Sequence, residues 1–273
     1  MEQALYERIR EAAFQIRKSA IMTVVNKGEG HIGPALSCAD ILATVYFGIK
    51  KPGDRFILSA GHKCLALYAT LVHTGQVDAH VLDTYNDLFS PIPGHPDMHK
   101  LQGVDFSTGS LGHGLGIACG FAMAAKRRGE SHKCYVLMGD GEHAEGTVWE
   151  SAALAAHHKL DQIVALVDCN HLQLSGKTSD VMNMSNLAER YQAFGWNTNT
   201  VDGHNVQELY HAICAAPYTE GKPSVIICNT IKGKGLTFAE DNFRYHHWNP
   251  GQAEKEEAIR ILQEQAEKEG WKA

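Results

Sequence analysis

Three short apolar segments constrain the fold of this chain more than any other feature. They cover residues 134–138 (CYVLM), 163–167 (IVALV) and 224–229 (SVIICN), and helical patterns lie between them. Continuous apolar runs of this length are typical of parallel strands that are buried on both faces. Their alternation with helices predicts an α/β fold, a parallel sheet with helices on both faces.

The rest of the chain continues this alternation without an internal repeat or a clear linker. We therefore expect a single domain over residues 1–273, with an N-terminal helical segment and a C-terminal helix. Ser37 and Asp40 match a capping box for a helix that runs to about Ile49. A further helix at 110–126 has a small residue at every fourth position, which would let a neighbouring helix approach closely. The other predicted elements are strands at 55–59 and 198–201 and helices at 2–26, 62–72, 146–158, 185–194, 205–215 and 252–270.

The charge and the cysteines of the chain exclude several classes of protein. The net charge of -6 offers no basic stripe for nucleic acid. Seven cysteines without a CxxC pair argue against a zinc or disulfide framework and favour a reducing compartment. The N-terminal segment mixes charged and apolar residues, unlike a signal peptide or a membrane span. We expect a cytoplasmic protein that binds neither nucleic acid nor membrane.

An acidic residue flanked by glycines follows the first apolar run. Gly139-Asp140-Gly141 comes directly after CYVLM, and Asn170 follows the end of IVALV. If these strands are neighbours in a parallel sheet, Asp140 and Asn170 converge at its carboxyl edge. Carboxylate, amide and carbonyl oxygens are hard ligands that suit Mg²⁺ or Ca²⁺ rather than zinc. Taken alone, the pattern also fits a turn in which Asp140 caps a helix.

The spacing within this pattern is more specific than the residues themselves. The 28 residues 142–169 separate Gly141 from Asn170. A GDG triplet followed at this distance by asparagine resembles the thiamine diphosphate-binding motif. Together with the other motifs, which occur in order from about residue 10 to 250, it resembles the transketolase family. Those motifs are GHIG (30–33), DRFILS with GH (54–62), PGHP (93–96), STGSLG with a further glycine (107–114), TIKGKG (230–235) and YH (245–246).

The resemblance implies thiamine diphosphate as cofactor, held through Mg²⁺, with Ca²⁺ or Mn²⁺ as alternatives. The metal ligands would be the side chains of Asp140 and Asn170 and the backbone carbonyl of Leu172. Gly141 would donate its backbone N–H to the diphosphate. The remaining cofactor-binding positions match His62, His246 and, beside the aminopyrimidine ring, Gly109 and Leu111.

The same resemblance implies a catalytic role for four histidines. His62 and His246 look like the histidines that touch the diphosphate and the bound intermediate. His31 and His95 match histidines that contact the sugar substrate. Glu145 resembles a glutamate buried at the subunit interface, although by itself it would read as a first-turn helix acid. The other histidines considered, His132, His157, His158 and His247, are assigned to the surface or the core.

Two positions depart from the family pattern. His113 stands in SLGHG where the family usually has glutamine, which changes a neighbour of the cofactor. His246 is followed by His247 rather than by glycine, which makes the alignment of the last motif less specific.

The length of the chain indicates which domains of a transketolase it would contain and which a partner would supply. A complete transketolase resembles this chain only over its first part, and we therefore expect the pyrimidine domain and the third domain to be absent from it. The catalytic glutamate that activates the aminopyrimidine belongs to that pyrimidine domain. We expect a separate C-terminal transketolase subunit to supply it, in a heterotetramer that transfers a two-carbon ketol unit between sugar phosphates.

Two alternatives remain open from the sequence. The chain could belong to another thiamine diphosphate enzyme, such as a 2-oxo acid dehydrogenase α subunit or a deoxyxylulose phosphate synthase-like protein. It could also be a non-catalytic, cofactor-binding regulatory protein. The set His31, His62 and His95 favours polyhydroxylated sugars, because a 2-oxo acid offers fewer hydroxyl groups.

Overall fold

A parallel five-stranded sheet forms the centre of the computed structural model, which describes residues 2–271. The spatial order of the strands is β1-β2-β3-β5-β4. β2 and β3 are neighbours, paired from Cys134 and Ile163 to Gly139 and Asp168. The predicted α/β class is confirmed. The strands are β1 (Arg55–Leu58), β2 (Cys134–Gly139), β3 (Ile163–Cys169), β4 (Asn197–Asp202) and β5 (Ser224–Asn229).

Helices cover the sheet on both faces, and side chains alternate between two hydrophobic clusters along the inner strands. On β2, Tyr135 and Leu137 pack with one cluster, whereas Val136 and Met138 pack with the other. All seven residues of β3 are buried, which explains its uniformly apolar run. The helices are α1 (Glu2–Lys27), α2 (Gly33–Ser37), α3 (Ala39–Thr44), α4 (Cys64–His73), α5 (Gly114–Arg127), α6 (Gly146–His157), α7 (Thr178–Val181), α8 (Leu187–Ala193), α9 (Val206–Ala215) and α10 (Gln252–Glu269). None of the helices within residues 2–271 combines the length and the hydrophobicity that a membrane crossing requires.

The capping box predicted at Ser37 and Asp40 is wrong. Ser37 is the last residue of α2, and its hydroxyl donates to Asp168 Oδ2 at 2.6 Å. The Asp40 carboxylate accepts from His204 Nδ1 at 2.7 Å and pairs with Arg17. Both polar side chains serve partners that are distant in sequence, so they are not available to cap a helix. The expected continuous helix is instead two short helices followed by a π-helical turn at Val45–Ile49.

The helix predicted at 110–126 begins later, at Gly114. Gly112 has φ +88°, a left-handed conformation that cannot belong to an α-helix. Of the small residues in the repeat, Gly116 lies closely against α6, where an added Cβ would be 3.1 Å from Ser151 Oγ. A Cβ added at Gly120 would meet no atom within 4 Å. The repeat therefore brings the chain close to α6 at Gly112 and Gly116, but not at Gly120.

Candidate active site

A cavity of about 230 Å³ lies beyond the carboxyl ends of β2 and β3. This is the edge of a parallel sheet at which ligands usually bind. The cavity gathers polar groups that come from segments far apart in the sequence. Its lining includes His62, Lys63, Leu111, Asp140, Gly141, Glu142, Asn170, Leu172, Lys232 and His246.

Asp140 immediately follows β2 and is 8 % exposed. Its Oδ1 accepts from the backbone N–H of Gly141 at 2.9 Å, and its Oδ2 accepts from that of His171 at 2.7 Å. Burial and the nearby Asp168 carboxylate raise the pKa of Asp140. A divalent cation would offset this unfavourable environment for a buried negative charge.

Two further oxygen donors line the same cavity. Asn170 is buried; its Oδ1 accepts from Leu172 N at 3.1 Å, and its Nδ2 donates to Asp168 Oδ2 at 3.2 Å. The backbone carbonyl of Leu172 accepts from Lys232 Nζ at 2.9 Å. Carboxylate, amide and carbonyl oxygens from Asp140, Asn170 and Leu172 form a hard donor set that fits a magnesium-class cation.

Two lysines that the sequence did not single out are buried at this cavity, each 1 % exposed. Lys63 forms a buried ion pair with Asp168, which also accepts from Thr230 Oγ1. Although burial opposes it, the Lys63 ammonium lowers the pKa of Asp168, so the pair is ionised. Nothing in the local sequence marks Lys63 as buried. Its position directly after His62 indicates only that it lies near the predicted site.

Lys232 is the second buried ammonium, and it donates a hydrogen bond to one of the predicted metal ligands. Its Nζ lies 2.9 Å from Leu172 O and 2.9 Å from His246 Nδ1. Burial and the Lys63 ammonium lower its pKa to about 8, so much of it remains charged at neutral pH. Lys63 and Lys232 together make the cavity attractive to an anion such as a diphosphate.

Glu142 is a third residue that the sequence analysis missed, although it directly follows the GDG triplet. Its carboxylate accepts from Ser59 Oγ, from Gly112 N at 2.7 Å and from Gly139 N at 3.1 Å. Burial raises the pKa of Glu142. These bonds tie the loop at 109–112 to the end of β2, and thereby place Leu111 on the cavity wall.

The remaining positions of the loop face a neighbouring cavity of about 740 Å³, which Gly109 and His113 line. A Cβ added at Gly109 would lie 3.7 Å from His95 Cδ2. His113 is exposed, and its Nδ1 is 3.1 Å from the carbonyl of Ser110. Glu145 is exposed at the start of α6. Gly109, His113 and Glu145 thus lie around the first cavity and not on its wall.

The structure brings all four predicted histidines together. The ring centroid of His31 lies 5.9 Å from that of His62, 5.8 Å from that of His95 and 5.5 Å from that of His246. His247, assigned to the surface or the core from the sequence, is exposed but lies 4.8 Å from the His31 ring. The cluster begins at the cavity wall, because His62 and His246 line it.

His31, His62 and His246 are neutral at neutral pH. Burial and the neighbouring His247 and His95 lower the pKa of His31 to about 4. Burial and the Lys232 ammonium lower that of His246 to about 3. Burial, followed by the adjacent Lys63, lowers the pKa of His62 well below its ordinary value. Neutral imidazoles can donate or accept hydrogen bonds with sugar hydroxyls.

A parallel sheet with hard oxygen donors and buried ammonium groups at its carboxyl edge defines an α/β ligand-binding domain suited to a cation and an anion. The family model described as "Transketolase, thiamine diphosphate binding domain" matches residues 9–272. The chain belongs to the transketolase family, as its ordered motifs predict.

Individual relatives agree with this assignment. The chain is 40 % identical to an apulose-4-phosphate transketolase subunit from Phocaeicola vulgatus, over 92 % of each chain. It is 38 % identical to 6-deoxy-6-sulfo-D-fructose transketolase subunit SqwG of Clostridium sp. (strain MSTE9), over 88 % of this chain and 90 % of the relative.

Solved structures extend the comparison to larger proteins. Transketolase from Campylobacter jejuni superposes with a TM-score of 0.86 at 32 % identity, over 96 % of this chain and 43 % of that protein. A transketolase mutant from Pichia stipitis, solved with xylulose 5-phosphate, gives a TM-score of 0.87 at 26 % identity, over 97 % of this chain and 41 % of that protein. The chain spans less than half the length of these transketolases.

Proposed function

We propose that this chain is the thiamine diphosphate-binding subunit of a two-subunit transketolase, which transfers a two-carbon ketol unit between sugar phosphates. One observation carries the proposal. A single cavity joins oxygen donors and buried ammonium groups suited to a metal diphosphate to a cluster of neutral histidines suited to a polyhydroxylated substrate. The subunit relatives named above match this chain over nearly their whole length, which supports the division into subunits.

In this proposal Asp140 and Asn170 hold a divalent cation through their side-chain oxygens, and Leu172 holds it through its carbonyl. Mg²⁺ is the first choice, with Ca²⁺ or Mn²⁺ as alternatives. The backbone N–H of Gly141 and the ammonium of Lys232 bind diphosphate oxygens. Thiamine diphosphate supplies the carbanion-stabilising chemistry when bound.

The histidines bind and orient the sugar and move its protons. His31 and His95 contact substrate hydroxyls, while His62 and His246 lie between the sugar and the diphosphate. A neutral imidazole can take a hydroxyl proton and return it, which is general acid and base catalysis. Gly109 and Leu111 place backbone groups beside the aminopyrimidine ring.

The partner completes the site. We assign the catalytic glutamate to a separate C-terminal subunit that carries the pyrimidine domain, and we place Glu145 at the subunit interface. The assembly is a cytoplasmic heterotetramer in which this chain, residues 1–273, contributes one domain. The exposure of Glu145 in the single chain leaves it accessible to such a partner.

Reconstitution tests the proposal. The chain is assayed for ketol transfer alone and with a co-purified subunit that carries a pyrimidine domain, using ketose phosphate donors, aldose phosphate acceptors and 2-oxo acids. Turnover of ketose phosphates only in the presence of the partner is expected. Transfer by the isolated chain refutes the partner requirement. Turnover of 2-oxo acids alone favours a dehydrogenase-type subunit, and cofactor binding without turnover of any substrate favours a regulatory protein.

A variant separates loss of the metal site from loss of the fold. Asp140→Ala should abolish binding of thiamine diphosphate in the presence of Mg²⁺, measured by calorimetry, while the circular dichroism spectrum stays unchanged. Asp83→Ala, an exposed carboxylate in the turn Ala79–Thr84, is the matched control. Equal cofactor affinity for the two variants would rule out the assigned cation site.

A further inference from the structure

A second set of potential metal ligands lies against Asp140, next to the cavity described above. The Asp140 carboxylate, the Cys169 thiol and the His171 imidazole offer ligand atoms that all lie within 4.8 Å of one another. Cys169 Sγ is 3.9 Å from His171 Nδ1. These three residues line a separate cavity of about 410 Å³. Among the described residues, Asp140 alone lines both cavities.

The backbone explains why the three side chains meet. Cys169 is the last residue of β3. Its side chain packs in the second hydrophobic cluster, on the side of the sheet opposite to the ion pair of Asp168 and Lys63. His171 has φ +60°, which turns the chain sharply after the strand. Its backbone N–H donates to Asp140 Oδ2 at 2.7 Å, and this bond fixes the turn against the carboxylate.

The ligand types favour a different class of cation from the magnesium-class cation proposed at the diphosphate. Thiolate and imidazole favour Zn²⁺ and Co²⁺ over Mg²⁺. In a tetrahedral zinc site, the sulfur and nitrogen ligand atoms lie about 3.5 Å apart. The 3.9 Å between Cys169 Sγ and His171 Nδ1 is within a small side-chain rotation of that distance. Three protein ligands leave the fourth position open to water, which the adjoining cavity can hold.

We propose that Asp140, Cys169 and His171 form a binding site for a zinc-class divalent cation that competes for the Asp140 carboxylate. Binding releases the thiol proton to solvent, because the thiolate is the ligand. The competition rests on the proposed function, in which Asp140 holds the cation at the diphosphate. A zinc-class ion at the second site draws this carboxylate away and weakens cofactor binding.

Cobalt tests the site independently of the cofactor. Co²⁺ is added to the metal-free full chain, and the thiolate-to-cobalt charge-transfer absorption is followed. One equivalent with this absorption is expected for the wild type and for Cys214→Ser, which changes an exposed cysteine on α9. Cys169→Ser should lose the absorption.

A second variant tests the site independently, in case Cys169→Ser loses the absorption through a folding defect. His171→Asn keeps a residue that tolerates positive φ, and it should weaken Co²⁺ binding at least about tenfold, since even indirect partners of a metal ligand cost that much. No charge-transfer absorption in the wild type, or the same absorption in a correctly folded Cys169→Ser, overturns the site.

Calorimetry then tests the competition. Saturating Zn²⁺ should lower the affinity for thiamine diphosphate with Mg²⁺ in the wild type and leave Cys169→Ser unaffected. An unchanged wild-type affinity overturns the competition. If the wild type binds no thiamine diphosphate even without zinc, the proposed function fails, whereas the cobalt absorption still decides whether the second metal site exists.

Discussion

At the scale of single residues, buried charge is concentrated at Asp168. Its carboxylate accepts from the Ser37 hydroxyl, the Asn170 amide and the Thr230 hydroxyl, and it pairs with Lys63. These partners come from segments that flank the cavity on several sides. The residue therefore holds the site together rather than contacting a ligand itself.

Replacing Asp168 should be costly because it leaves a buried ammonium without its counter-charge. We expect Asp168→Asn to lower the free energy of unfolding by about 3–5 kcal/mol, the usual effect of breaking a buried ion pair. Urea denaturation measures this change. Arg260→Gln, which removes exposed ion pairs to Glu257 and Glu264 on α10, should have no measurable effect. A similarly small effect for Asp168→Asn would contradict the assigned ion pair.

His31 should make stability depend on pH in a defined window. In an unfolded chain histidine titrates near pH 6.5, whereas burial and neighbouring His247 and His95 lower the folded pKa to about 4, against a smaller opposing effect of Glu29. Between these values the unfolded chain binds the extra proton, so the free energy of unfolding falls as pH drops from 6.5 toward 4.

The test is urea denaturation at about pH 7 and about pH 5, which spans most of this window. His31→Asn should show a smaller loss of stability between the two pH values than the wild type. His99→Asn, at an exposed position, should lose as much stability as the wild type. An equal loss in His31→Asn and the wild type would mean that His31 does not remain neutral when the chain folds.

At the scale of helices and strands, an element was predicted correctly where the local sequence determines it. The apolar runs at 134–138 and 163–167 predicted β2 and β3 because burial on both faces leaves few polar positions. The capping box at Ser37 failed because its hydroxyl bonds to Asp168, which is 131 positions away. A short-range pattern does not contain such a partner.

Glycine in the GHIG motif sets the distance between two elements. A Cβ added at Gly33 would lie 2.7 Å from the carbonyl oxygen of Tyr245, next to His246, and backbone cannot yield easily. We expect Gly33→Ala to destabilise the protein by about 1–3 kcal/mol through overpacking. Gly120→Ala faces open space within α5 and should stabilise by about 0.5–1 kcal/mol. Thermal denaturation compares them, and equal shifts would argue against the close contact.

At the scale of the whole molecule, the order of several motifs predicted the family and the residues that surround the cavity. His31, His62, His95 and His246 are far apart in sequence, yet they lie together as the motifs implied. Lys232 and Glu142 were missed, because burial of a charged side chain depends on partners that only the folded chain reveals. The closeness of His247 to His31 was missed for the same reason.

Ligand binding should stabilise the whole chain, since only the folded state gathers the donors. At a ligand concentration 100 times the dissociation constant the gain is about 2.7 kcal/mol, which corresponds to a rise in Tm of roughly 5–10 °C for a domain of this size. Thiamine diphosphate with Mg²⁺ should produce this rise, and a chelator should reverse it. Asp140→Ala should show no rise. An equal rise with thiamine diphosphate in the presence of chelator would show that no cation is involved.

The hydrogen bond from Lys232 to the Leu172 carbonyl bears on the proposed cation site. Lys232 Nζ donates to the carbonyl oxygen that the proposal assigns to the cation. If that oxygen ligates a cation, the Lys232 ammonium must give up this bond, which would leave it available to a diphosphate oxygen. The proposal therefore links cation binding at Leu172 to anion binding at Lys232.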